Sequence, residues 1–287
     1  MIPFVDIHGQ VTSLLQVAVV SSEPYGRAIT GERWRLHLAD GRDVFAKARA
    51  GAPDGFFAAE AAGLRWLAAA TGGPPVPEVL GQDRELLVLP WLPTDADTSP
   101  AAVERFGREL AALHAAGASA FGAEEPGWIG AAPLDNRPCD TWPDFYGARR
   151  IDPYVRLLQD RGLSAAEADV FYRLVTRLPE LAGPAEPPAR LHGDLWNGNV
   201  LWAGGCGWLV DPAAHGGHRE TDLAMLDLFG APELGRLLAA YEEVTPLAAG
   251  WRQRRGLHQL HPLLVHALLF PGGGYLSAAL DSARSYL

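Results

Sequence analysis

The stretch Leu191-His192-Gly193-Asp194-Leu195-Trp196-Asn197-Gly198-Asn199, followed by Trp208-Leu209-Val210-Asp211, decides how this chain is read. It sets a carboxylate, an amide and a second carboxylate in order around short apolar runs, and these are the hard oxygen donors that suit Mg²⁺. Toward the N-terminus, Arg33 to Leu38 alternates polar and apolar side chains, Asp40-Gly41 is a turn signal, and Val44 to Ala48 resumes the apolar pattern, which together predict a hairpin. Lys47 stands near the end of its second strand. A helix is expected from near Asp54, because Phe57, Ala61, Leu64 and Leu67 recur at three- and four-residue spacing, and Glu60 falls inside that stripe. A carboxylate there pays a desolvation cost unless it reaches water at the stripe's edge or meets a cation, and Lys47 is the candidate cation.

Lys47 is also the only lysine among 24 basic side chains, the other 23 being arginines. Solvated charge can be carried by either residue, whereas a site that needs a compact ammonium does not readily take a planar guanidinium. Genome composition can explain the arginines without explaining the survivor. The chain has 287 residues, 34 acidic side chains, a net charge of -10 and 48% hydrophobic content, enough for a sizeable core divided between two lobes. The acidic balance argues against nucleic acid as a partner. Cys139 and Cys206 supply neither a disulfide framework nor a four-ligand zinc site, which fits a reducing, cytoplasmic setting. Met1 to Gln10 lacks the basic region of a signal peptide, and no apolar run reaches the roughly 18 residues of a membrane span. A monomer is expected.

Between these landmarks, Gly72 to Pro77 reads as a Pro-rich loop, Glu85 to Leu89 as an apolar strand, and Pro90-Trp91-Leu92-Pro93 as a hinge. Beyond the hinge the pattern turns helical. Ser99-Pro100 caps a helix carrying Val103, Phe106, Leu110 and Leu113, Gly117 to Asp140 reads as loop, and Ser164 with Glu167 forms a capping box. Two more helical stretches follow Pro232 and Pro246. The expected fold is α+β and bilobal: a small antiparallel-sheet lobe over residues 1–91 and a larger, mostly helical lobe over residues 92–287, the latter containing a short strand pair.

The kinase catalytic loop is H-R-D-x-x-x-x-N followed by a metal-binding Asp at a strand end. His192, Asp194, Asn199 and Asp211 keep that order and spacing, with Lys47 and Glu60 upstream. Phosphoryl transfer asks the protein mainly to position groups and neutralise charge. Lys47 is expected to hold the α- and β-phosphates of ATP with Glu60 fixing its ammonium, Asn199 and Asp211 to ligate Mg²⁺, and Asp194 to orient the acceptor hydroxyl and take its proton. Gly193 replaces the Arg of the loop and Asp211-Pro212-Ala213 replaces D-F-G. The short interval to Glu220-Thr221-Asp222-Leu223 leaves no room for a peptide-docking segment.

The arrangement resembles the small-molecule kinases of the aminoglycoside phosphotransferase and choline kinase type, within a protein-kinase-like fold. It is closest to the fructosamine kinase (ketosamine-3-kinase) family, on the catalytic stretch, on Arg219-Glu220-Thr221-Asp222-Leu223-Ala224-Met225 with Leu228-Phe229-Gly230, and on Gly273-Gly274-Tyr275. The resemblance implies ATP-dependent phosphorylation of the sugar 3-hydroxyl of ketosamines and a role in deglycation. It also implies a nucleotide loop between the first two strands, here Ser21 to Arg27, where Ser21 and Ser22 replace paired glycines and Glu23 is an unwelcome neighbour for a triphosphate. At the hinge it implies adenine contacts from the Pro90 carbonyl and the Leu92 N–H. Trp196 reads as a sugar-stacking wall and His266 as a substrate contact. His192 reads as a prop of the loop, His215 and His218 as loop polar groups, His258 and His261 as packing or surface residues, and Arg149-Arg150 as a solvated pair. An aminoglycoside or amino-alcohol kinase and a non-catalytic nucleotide-binding pseudokinase are the alternatives.

Overall fold

The alternation along the first third of the chain folds as an antiparallel sheet. The structure, a computed structural model, describes residues 6–95 and 98–287. Helix α1 (Ile7–Leu15) leads into β1 (Val19–Ala28), β2 (Gly31–Leu38), β3 (Asp43–Ala48), helix α2 (Phe56–Ala68), β4 (Gly81–Gln82) and β5 (Leu86–Pro90). The strand order is β1-β2-β3-β5-β4, antiparallel throughout. Because side chains alternate between faces, Leu36, Val44, Ala46 and Val88 bury one face against Ile7 and Val11 of α1. Leu87 and Leu89 bury the other against Phe57, Ala61 and Leu64 of α2. Lys47 lies directly across from Leu87 and therefore faces α2.

Ser21 to Arg27 is not the loop the sequence suggested. It continues β1, with Ser21 opposite His37, Ser22 opposite Leu36 and Pro24 opposite Trp34. β1 is the sheet's edge, where a proline without an N–H is tolerated, and the register shifts between Pro24 and Arg27, where Gly26 takes φ 102°. The chain turns at Ile29-Thr30 instead.

After the hinge, α3 (Pro100–Ala115) starts on a Ser99 cap, and a hairpin of β6 (Gly127–Ile129) and β7 (Ala132–Leu134) interrupts the region that read as loop. Then come α4 (Trp142–Phe145), a π-helical turn at Tyr146–Ile151, α5 (Asp152–Gln159) and α6 (Ala165–Leu181), which begins with the expected capping box. Strands β8 (Ala189–Leu191), β9 (Val200–Ala203), β10 (Cys206–Leu209) and β11 (His215–Gly217) form two ribbons, β8 with β11 and β9 with β10, where the sequence indicated one pair. Helices α7 (Glu220–Leu228), α8 (Leu234–Val244), α9 (Trp251–Leu269) and α10 (Tyr275–Arg284) complete the chain. Phe106, Leu110, Leu195 and Tyr241 form one core beneath the catalytic stretch, and Phe145, Phe171, Leu257 and Leu264 belong to another. Arg150 is not solvated: it is 2% exposed, donates to the Asp135 carbonyl and Asn136 Oδ1, and lies over the Phe145 ring. Among the described residues no helix is long and apolar enough to cross a membrane.

Candidate active site

Period-two alternation on β3 and the helical stripe of α2 bring Lys47 and Glu60 together. Lys47 is 1% exposed, and its Nζ donates to both Glu60 oxygens at 2.8 and 2.9 Å and to Asp211 Oδ1 at 2.8 Å. Burial alone would lower the ammonium's pKa, but the two carboxylates reverse that and raise it. One ammonium between two carboxylates does not serve both equally. Burial pushes Glu60 up to about 7 against the pull of Lys47. Asp211 is held below the ordinary carboxylate range: burial works upward, and Lys47, with Arg33 3.6 Å away, outweighs it. Asp211 has φ 54°, a left-handed conformation that costs a non-glycine residue about 1–2 kcal/mol. The bond to Lys47 helps to hold it there.

The catalytic stretch is braced from behind. His192 Nδ1 accepts from the Asp194 N–H at 3.2 Å and its Nε2 donates to the Val210 carbonyl at 2.9 Å, an assignment that makes it a neutral prop. Burial lowers its pKa in keeping with this. Gly193 takes φ 80°, and a Cβ there would lie 2.2 Å from the Ala213 carbonyl oxygen, so the Arg of the kinase loop has no room. Asp222, near the start of α7, accepts from the backbone N–H of His192 at 2.8 Å and of Gly193 at 3.0 Å, and faces His114 Nε2 at 3.3 Å. Sequence reasoning quoted Asp222 only as part of a motif. Its role depends on a contact 30 residues away that no local pattern announces.

Asn199 Nδ2 donates to the Asp194 carbonyl at 2.8 Å and to Asp194 Oδ2 at 3.1 Å, which leaves Oδ1 as the amide's metal-ligating atom. Asp211 and Asn199 thus offer oxygen donors, which fit a hard divalent cation. Burial, with the nearby charge of Asp211, pushes the Asp194 carboxyl up to about 7. A carboxylate with that proton affinity is better matched to proton transfer near neutrality than one at its reference value.

A cavity of about 470 Å³ is lined by Lys47, Glu60, Asp194 and Asp211, with Phe56, Trp66 and Trp128 among its walls. Thr30, from the β1–β2 turn, lines it too. Ser21, Ser22, Pro90 and Leu92 are not among its lining residues. Ser22 Oγ bonds His8 Nε2 at 2.8 Å, Pro90 ends β5 opposite Val44, and Leu92 follows in the hinge. Trp196 is 41% exposed, and its ring leaves no space for a Cβ on Gly198. Trp196 lies 6.3 Å from the Phe229 ring, and Phe229 lies 4.7 Å from His266, which is 5.0 Å from Tyr275. Residues chosen from separate motifs therefore share one aromatic patch, and neither Trp196 nor His266 is among the residues that line the cavity.

Among the described residues, His218, Glu220 and His258 are grouped as metal ligands could be. Most of their atoms are already engaged: Arg254 holds both Glu220 oxygens, His218 Nδ1 accepts from the Glu220 N–H, and His258 Nδ1 pairs with Thr221 Oγ1, while His258 Nε2 faces Glu220 Oε2 at 3.3 Å. This cluster is an internal brace.

Comparison with known proteins gives the following likenesses. The family model described as Fructosamine kinase matches residues 16–287. A Vibrio parahaemolyticus protein described as a "Probable ketoamine kinase" is 36% identical over 211 residues, covering 71% of each chain. A Thermobifida fusca crystal structure, described as a candidate fructosamine-3-kinase, is 50% identical with a TM-score of 0.92 and covers 98% of each chain. The aminoglycoside phosphotransferase APH(4)-Ia, in a ternary complex with AMP-PNP and hygromycin B, is 18% identical with a TM-score of 0.66 over 98% of this chain and 99% of that one. That last likeness is one of fold.

Proposed function

This chain belongs to the fructosamine kinase family, and from that premise we propose that it transfers the γ-phosphoryl group of ATP to the sugar 3-hydroxyl of ketosamines. The observation that carries the reading is the convergence of Lys47, Glu60, Asp211 and Asp194 on a cavity large enough for a substrate, with Asn199 bonded to Asp194. The nucleotide lies between residues 1–91 and 92–287, its adenine against the Pro90 carbonyl and the Leu92 N–H. Lys47, fixed by Glu60, holds the α- and β-phosphates. Asp211 and Asn199 hold Mg²⁺, which when bound neutralises charge on the phosphates. Thr30 at the β1–β2 turn takes the place first given to Ser21 and Ser22.

Asp194 orients the acceptor hydroxyl and receives its proton. An alcohol is far less acidic than a carboxylic acid, even one raised to about 7, so the proton moves late, as the new P–O bond forms. The sugar stacks on Trp196, with His266 among its contacts. Phosphorylation at that hydroxyl makes the adduct labile, which gives the enzyme a deglycating role. We place it in the cytoplasm as a monomer without nucleic-acid or membrane partners, a reading supported by the net charge of -10. Glu124 and Glu125, exposed where the cavity opens, favour an amine-bearing acceptor; this suits a ketosamine and equally the aminoglycoside alternative.

The test is the position of the transferred group. Incubation with Mg·ATP and fructosyl-lysine, followed by NMR of the product, should place phosphorus on the sugar O3. Asp194→Asn should yield no product while binding ATP nearly as well as the parent. Phosphorus on another oxygen, or lost nucleotide binding in that variant, would contradict the assignment.

A further inference from the structure

β1 runs as strand through Ser21 to Arg27, so the β1–β2 hairpin meets the cavity at its turn, Ile29-Thr30, between Gly26 and Gly31. A further donor stands on β2. Arg33 on β2 is the direct cross-strand partner of Lys47, so both side chains project from the same face of the sheet toward Asp211. Its Nη2 lies 3.6 Å from Asp211 Oδ2, too long for a direct hydrogen bond, while Lys47 already holds the other oxygen at 2.8 Å. Its Nε is buried without a hydrogen-bond partner. Folded proteins seldom leave a buried donor unmade, and one at a ligand site points to a partner that arrives with the ligand. The side chain remains 34% exposed, so part of it is open to a ligand.

We propose that Arg33 is a second phosphate-binding cation of this site. Its planar fork takes two oxygens of the nucleotide's β- and γ-phosphates, and Lys47 takes the α- and β-phosphates from the neighbouring strand. A guanidinium suits this task because its paired N–H groups match phosphate oxygens bidentately, and such charge-assisted bonds are about twice as strong as neutral ones. The proposal rests on the reading of the chain as an ATP-dependent kinase.

Calorimetric titration of the full chain with AMP, ADP and ATP, without added metal, tests it through phosphate number. Arg33→Met should bind AMP within about twofold of the parent and should lose about tenfold or more in affinity for ATP, with ADP between them. Arg33→Lys keeps the charge without the fork and should fall between parent and Met variant, and unchanged thermal midpoints would show that both variants fold. Unchanged ATP affinity in Arg33→Met, or an equal loss for AMP and ATP, overturns the proposal. A parent protein that binds none of the three nucleotides, with or without Mg²⁺, overturns the kinase reading itself, and this one with it.

Discussion

Lys47 Nζ meets Glu60 Oε1 at 2.8 Å and Oε2 at 2.9 Å, a bidentate contact between the third strand and the helix that follows it. Both groups are withdrawn from bulk water, so their geometry is fixed by packing. Asp211 completes the cluster from 164 residues away.

That enclosure makes Lys47→Arg a severe change in a chain that otherwise uses arginine for every basic position. The larger planar group cannot point one compact charge at Glu60, Asp211 and a phosphate together. Turnover should fall by about 100-fold or more, the scale of losing a preorganised charge at a reacting group. Steady-state kinetics alongside a melting curve check this, and near-normal turnover would contradict the role given to Lys47.

Asp222→Ala should act on the catalytic stretch without touching substrate. It leaves the N–H groups of His192 and Gly193 buried and unpaired, at about 1–3 kcal/mol for each orphaned group. The expected result is a lower denaturation midpoint together with reduced kcat, because the loop carrying Asp194 is no longer held. Chemical denaturation and steady-state assays measure the two effects separately.

How far the sequence could be read follows from the range of each contact. The hairpin of β2 and β3, the cap at Ser99 and the Ser164–Glu167 box are local and were legible. So was the pairing of Lys47 with Glu60, because one periodicity put a charge on a buried stripe and the other put a cation on the strand before it. Ser21 to Arg27 misled because the resemblance placed a loop between the first two strands and the stretch lacks a clean period; β1 sits at the sheet edge, where Pro24 and Gly26 are tolerated within a strand. The hairpin at 127–134 has strands of three residues, too short to show a period. Asp222 and Arg33 act across the fold, and nothing near them in sequence names their partners.

The pH–rate profile should report Asp194. Its carboxyl is raised to about 7 and must be ionised to take a proton, so kcat/KM should rise with pH through a single limb near 7 and level above it. Buffers held at one ionic strength and one free Mg²⁺ concentration isolate this limb. A profile flat from pH 5.5 to about 8 would contradict the proton-accepting role.

Stability should decline in acid for a different reason. Burial lowers the pKa of His215 and of His218 to about 3 from the ordinary 6.5, so below 6.5 the unfolded chain binds protons that the folded chain does not. Their contribution is complete above 6.5 and is lost as pH falls toward 3, at up to about 1.4 kcal/mol per pH unit for each proton taken up. His218→Gln removes one of these protons. Its unfolding free energy, measured by denaturant titration between pH 6.5 and 4.5, should fall less steeply than that of the parent.

The central claim is the acceptor. Purified protein with Mg·ATP, offered in turn ribulosyl-lysine, fructosyl-lysine, choline and an aminoglycoside while ADP release is followed, should turn over with the two ketosamines and release ADP at background rates with the others. Turnover with choline or the aminoglycoside and none with either ketosamine would contradict it, and tight ATP binding with no turnover on any acceptor would mark the chain as a nucleotide-binding protein without catalysis.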